Sequence, residues 1–180
     1  MTEPPPTPPP LSDDELALRS RQDPAHFGEL YRRYLPRVYR YCRFRVATSA
    51  EAEDVTHQVF LDALQALPRY RPQGHFAAWL FAIARRRCAD HHRAGLPELD
   101  LLETLPALTP AQTAEERARL NALLRALSGA ELELLRLRYA ADLEFPQIAR
   151  LLGRTTGAVK MAHHRLLEKL RASWEDDHAE

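Results

Sequence analysis

The chain has 180 residues, 45% hydrophobic and 28% charged, which suits one ordinary domain or two small ones and excludes a disordered protein. Lys+Arg and Asp+Glu are both 25, so the formal net charge is zero. No apolar run approaches the roughly 20 residues of a membrane span, no signal peptide opens the chain, and Cys42 and Cys88 stand apart with no CxxC, so the expectation is a reduced, cytoplasmic protein.

The opening MTEPPPTPPP holds six prolines and cannot form helix, so residues 1–22 read as a flexible Pro-rich tail and lead-in. Asp23 followed by Pro24 supplies an N-cap and a proline at the first helical position. Phe27, Leu30, Tyr31, Tyr34, Val38, Tyr41 and Cys42 then recur at helical spacing, with Pro36 as an expected kink. Ser49 is the expected cap of a second helix, where Val55, Val59, Ala63 and Leu67 align with Phe60 and Leu64 as a buried face; Pro68 and Pro72 end it. Gly74 precedes a third helix with Phe76, Leu80, Ile83, Ala84 and Cys88 inward.

The stretch LPELDLLETLPALTPAQT contains three prolines and several carboxylates, and residues 95–114 read as an interdomain linker. A second helical set follows over 115–127 and 129 to about 140, then two helices in IARLLGRTTGAVKMAHHRLLEKL, before an acidic tail at 173–180. No alternating run of β-branched residues predicts a strand. The expected fold is therefore all-α: two small helical domains, 23–94 and 115–172, joined by a flexible linker.

Charge is segregated although the sum is zero. Residues 69–93 carry six Arg against Asp90 alone, and 146–172 carry six Lys/Arg against Glu168 alone. Residues 95–116 hold five carboxylates and no base, and 173–180 hold four more. Two basic segments separated by an acidic one suit two polyanion-binding modules.

The second basic segment carries a spacing with a mechanical meaning. Pro146 sits in the first turn of one helix, Ala149 precedes Gly153 by four residues, and Val159 follows Ala149 by ten. Helices crossing over a short turn need a small residue at the crossing, here Ala149, and a residue tolerant of φ > 0 at the turn, here Gly153. Thr155 or Thr156 would cap the second helix, and Val159 with Ile148 and Leu152 would close the core between the two. This is the helix-turn-helix arrangement, whose second helix enters a major groove; the plain alternative is an αα-hairpin with a solvated basic face.

AEDVTHQVFLDAL (52–64) followed by FAAWLFAIARRRCADHHR (76–93), with the helix-turn-helix behind them, resembles bacterial sigma factors of the extracytoplasmic-function type within the sigma-70 family. The resemblance covers about residues 23–171 and implies a dissociable promoter-specificity subunit of RNA polymerase, with core polymerase, promoter DNA and an anti-sigma protein as partners and no cofactor or catalytic group of its own. On the second helix Glu51, Asp54, Gln58, Leu61, Asp62 and Gln65 form an acidic, amide-rich stripe with one exposed leucine, a composition suited to a protein partner. The resemblance assigns Asp54, Gln58 and Leu61 to core binding.

On the third helix Arg85, Arg86 and Arg93 are expected on the exposed side, with Trp79 seven residues before Arg86. Cations track a single-stranded backbone while a ring stacks on a base, and core packing is the equal alternative for Trp79. The resemblance implies recognition and melting of the minus-ten element, with the loop 69–75, including Arg69, Arg71 and His75, helping to hold a flipped base. Thr155, Thr156, Lys160, His164 and Arg165 are the candidate contacts to the minus-thirty-five element. Ala162 stands where the family often has Arg, His163 where a leucine usually packs, His57-Gln58 where Gln and an acid are usual, and Arg86 where Asn is frequent.

His91 and His92 beside Cys88 place no second ligand pair, so no metal site is expected, and a zinc hydrolase would need an HExxH that is not here. The alternative function is a two-domain helix-turn-helix regulator that binds duplex DNA without polymerase.

Overall fold

The computed structural model of the chain describes residues 11–93 and 114–176, with the side chains of 92, 93, 114–118 and 176 outside that description. The helices are α1 (Asp13–Arg19), α2 (Ala25–Arg43), α3 (Ser49–Ala66), α4 (Phe76–Arg93), α5 (Ala114–Arg125), α6 (Gly129–Leu135), α7 (Phe145–Leu152) and α8 (Thr156–Asp176), and no strand occurs among the described residues. The expectations for the Pro-rich run at 1–10, most of the linker and the last four residues lie outside the described residues.

α1 corrects the expectation of an unstructured lead-in. Ser12 Oγ accepts from the Glu15 N–H at 3.3 Å, and the Glu15 carboxylate accepts from the Ser12 N–H at 2.9 Å. This reciprocal capping satisfies two helix-end donors, and Leu16 and Ala17 then bury against the neighbouring helices. The sequence signal, Ser-x-x-Glu ahead of Leu16-Ala17, is present, but seven residues are too few to show a period.

α2 begins beside Pro24, with Asp23 Oδ1 accepting from the Ala25 N–H at 2.9 Å. It continues through Pro36, whose ring is exposed, and buries Leu30, Tyr34, Val38, Tyr41 and Cys42. Thr48, one residue before the expected cap, closes a capping box with Glu51 at the start of α3. α3 buries Ala52, Val55, Thr56, Val59, Phe60 and Ala63, but Leu64 is 42% exposed, against expectation. At 100° per residue Leu64 falls beyond Phe60 at the edge of that stripe, turned toward Leu61. A short 3₁₀ turn, Leu67–Arg69, ends the helix, and Gly74, at φ 71°, turns the chain into α4.

In the C-terminal module Ser128 and Glu131 cap α6 reciprocally, and a π-helical turn, Arg136–Ala140, leads out of it. Glu131 is held down to about 2 by hydrogen bonds from the Ser128 backbone and hydroxyl and from Lys169. α8 runs on to Asp176, four residues into the segment expected as an acidic tail.

The two modules dock on one another. Ala77, Phe81, Tyr41 and Leu30 belong to the same hydrophobic core as Leu137, Ala141, Leu143 and Ile148, and α7 packs on α4. Polar contacts surround the apolar ones. The buried Glu133 carboxylate accepts from the Tyr41 hydroxyl at 2.9 Å and from Arg45 at 2.6 Å, with Arg85 at 3.3 Å. Burial, then the charge of Glu133, pushes the Tyr41 phenol well above its ordinary pKa, so it remains a donor. Arg37 donates to the carbonyls of Ala141 at 2.8 Å and Asp142 at 2.6 Å.

Candidate polymerase and nucleic-acid interfaces

One face of α3 stays in water. Asp54, Gln58 and Gln65 are exposed, and Leu61, between them, is 50% exposed. The rest of the expected stripe is engaged: Glu51 caps α3, and both oxygens of Asp62 accept from Arg87 of α4. Leu64 joins Leu61, so the face offers two leucines framed by acid and amide. A carboxylate and two amides around a partly exposed apolar pair suit a protein partner better than a phosphate.

The loop before α4 and the outer side of that helix form a second face. Arg69 and Arg71 are exposed and His75 is half-buried. Trp79 is half-buried, its ring 4.8 Å from that of Tyr70 and 5.4 Å from that of Phe76. It is thus a packing residue with an open side. Arg86 is 85% exposed at its side chain, 3.8 Å from Asp90. Arg69 and Arg86 line one cleft between α3 and α4 of about 600 Å³, together with Asp62, Arg87 and Asp90. Arg85 is turned to Glu133 of the other module, and the Arg93 side chain lies outside the described residues.

Two residues that hold this loop were missed. Asp14 Oδ1 accepts from the Tyr70 hydroxyl at 2.5 Å and its Oδ2 from the Gly74 N–H at 2.5 Å. Arg21 Nε donates to the Leu67 carbonyl at 3.3 Å, and its Nη2 donates to the Tyr70 carbonyl. Both lie in the segment read as lead-in, and their partners are 46 to 60 residues away, beyond any local pattern.

The third face is built on α7 and α8. Ala149 and Val159 are buried at the helix crossing, and Gly153 has φ 64°, ψ 35°. Arg154 N–H donates to the Ala149 carbonyl at 2.8 Å and Gly153 N–H to the Arg150 carbonyl at 3.3 Å, a Schellman closure of α7. Thr155, rather than Thr156, caps α8, its Oγ1 accepting from the Ala158 N–H at 3.2 Å. Thr156 is half-buried, while Lys160, His164 and Arg165 are exposed, His164 lying 3.4 Å from Glu168.

His163 stands where a leucine usually packs in the resembled family. Its Nε2 is 2.9 Å from the Tyr139 hydroxyl, and its ring meets Phe145 edge-on at 5.2 Å. Burial, then the charges of Arg138 and His164, lowers its pKa below 6.5. Among the described residues no three His, Cys, Asp or Glu side chains gather as metal ligands, and no helix is long and apolar enough to cross a membrane. Cys88 lies instead against Cys42, sulfur to sulfur at 3.8 Å.

Residues 30–95 match the family described as Sigma-70 region 2, and residues 123–172 match Sigma-70, region 4. The ECF RNA polymerase sigma factor SigD of Mycobacterium tuberculosis is 40% identical over 150 residues, covering 76% of this chain and 71% of that protein. BldN, an ECF RNA polymerase sigma factor of Streptomyces coelicolor, is 33% identical over 175 residues, covering 91% of this chain and 66% of that protein. Among solved structures, CnrH in complex with the cytosolic domain of CnrY superposes with a TM-score of 0.68 at 25% identity, covering 92% of this chain and 98% of CnrH. The chain belongs to the ECF sigma factors of the sigma-70 family. Paired region 2 and region 4 modules do not favour a stand-alone regulator; the family's role is promoter-specific initiation with core RNA polymerase.

Proposed function

We propose that this sigma factor grips core polymerase with the Asp54, Gln58 and Leu61 face of α3, and that α4 and the loop 69–75 engage the minus-ten element as it melts. The observation that carries the reading is Leu61, an apolar side chain half in water between Asp54 and Gln58. Arg69, Arg71, His75 and Arg86 would track the displaced strand, and the open side of Trp79 would meet a base. Arg85 and Arg93 would join them once the modules part. Lys160, His164 and Arg165 on α8 would reach base edges and phosphates of the minus-thirty-five element, with Thr156 at the groove. Thr155 would act through its cap, which leaves the first N–H groups of α8 aimed at phosphate.

The chain carries no catalysis of its own on this reading; bond formation belongs to the polymerase. CnrH has been solved with the cytosolic domain of CnrY; an anti-sigma partner of this chain would act by covering these faces. Run-off transcription tests the proposal: purified bacterial core polymerase, with and without this protein, on promoter fragments from its own host. New, specific starts that need the protein are expected. Failure to bind core at all would overturn the reading.

A further inference from the structure

α1 lies before residue 30, where the region 2 match begins, yet it is fastened to the loop that leads into α4. Its two consecutive acids point to different elements. Asp13 faces α2, accepting from Arg33 at 3.0 Å and from the Tyr34 hydroxyl at 2.5 Å. Arg33 also donates to the Leu11 carbonyl at 2.9 Å, and Leu16 and Ala17 are buried, so α1 is fixed to the module before it touches the loop.

Asp14 faces the loop. One oxygen takes the Tyr70 hydroxyl at the loop's start, and the other takes the Gly74 N–H at its end, both at 2.5 Å. Arg21, just beyond α1, takes the carbonyls of Leu67 and Tyr70. Gly74 sits at φ 71°, and residues 71–73 are exposed; besides α1 and Arg21, the loop is met by Arg150 of α7, which donates to Gln73 Oε1 at 2.7 Å in the docked chain. The Tyr70 ring in turn lies 4.8 Å from Trp79 and 5.6 Å from Phe76. One carboxylate therefore ties the two ends of the loop together and holds the hydroxyl of the ring against which Trp79 rests.

We infer that Asp14, assisted by Arg21, is a positioning residue for minus-ten recognition: it holds the loop 70–75 and Trp79 in the shape that receives an unstacked base. A preformed loop spares the ordering that a slack one must undergo on binding, so the gain appears only for the strand that places a base there. The inference rests on the loop's proposed role, and it adds a part of the chain outside the matched region.

The test uses full-length protein bound to core polymerase, with fluorescent single-stranded oligonucleotides from a promoter mapped by run-off transcription. Each oligonucleotide carries an abasic site at one position of the minus-ten element. Wild-type holoenzyme is expected to lose about tenfold in affinity at the captured position, the scale of one stacked base. Asp14→Ala should bring that loss close to onefold while core binding and binding of a minus-thirty-five duplex stay unchanged; Asp14→Asn, which keeps an acceptor, should recover part of it. A general loss of fold would lower all three activities together, so the split separates positioning from stability. Asp14→Ala holoenzyme that discriminates as well as wild type would overturn the inference and leave the loop's role intact. Wild-type holoenzyme with no such position would overturn the loop's assignment, and the inference with it.

Discussion

Glu133 of the C-terminal module accepts from the Tyr41 hydroxyl of the N-terminal module at 2.9 Å, although 92 residues separate them in sequence. Arg45 at 2.6 Å and Arg85 at 3.3 Å flank this buried carboxylate, and Arg136 lies within its electrostatic reach. Removing it with Glu133→Ala leaves those cations facing one another, a defect of about 3–5 kcal/mol while the site stays closed and little once water enters. The expected result is parting of the modules: the radius of gyration from small-angle scattering rises above the value of about 16 Å for a compact chain of this length, with helical circular dichroism retained. An unchanged radius would assign the docking to the apolar contacts and the remaining hydrogen bonds, those of Arg37 among them.

Asp54→Arg places a cation on the exposed face of α3 without touching its buried stripe. The thermal midpoint should move little, as for other exposed substitutions, while affinity for core polymerase falls at least about tenfold. Retained core affinity in a pull-down titration would move the polymerase contact elsewhere.

Gly153→Ala puts a Cβ at φ 64°, where nothing crowds it but the backbone conformation itself is unfavourable. A loss of about 1–2 kcal/mol is expected, seen in chemical denaturation, with weakened binding to minus-thirty-five duplex as the α7–α8 crossing loosens. A stability equal to wild type would show that the turn relaxes to another closure.

His163 makes stability depend on pH. Its folded pKa is lowered by burial, by Arg138 and by His164, so below the ordinary value of 6.5 the unfolded chain takes up the proton first. The stabilisation is complete above that value and is lost as pH falls through the folded pKa. Phe145, Tyr139, Arg138 and His164 surround the ring, and none supplies a carboxylate to welcome the proton. His163→Leu should therefore lose less stability than wild type between pH 7 and about 5.5, compared by thermal melting. Parallel curves would exclude His163 as the source.

Much of this was legible in residue order. Val55, Val59 and Ala63 are buried on α3, and Ala149, Gly153 and Val159 play the parts their spacing implies, because both patterns are local and periodic. Leu64 was misjudged since a helix face has an edge that period alone does not locate. Thr155 and Thr156 are equivalent as letters, and only the direction of a hydroxyl separates them. Asp14, Arg21 and Glu133 were unreadable for one reason: each takes its meaning from partners 46 or more residues away, brought close by packing.

The shared core of the two modules also sets a ruler against the promoter. A compact chain of 180 residues measures about 40 Å across. Elements centred ten and thirty-five base pairs upstream lie about 85 Å apart on B-form DNA. No single docked molecule touches both, so the free protein's hold on a whole promoter is its intrinsic affinity scaled by the fraction of molecules already parted. The Tyr41–Glu133 contact of the free chain and a grip on both elements at once are therefore alternatives, and any partner that favours the parted form raises the hold on a whole promoter without adding a contact to DNA.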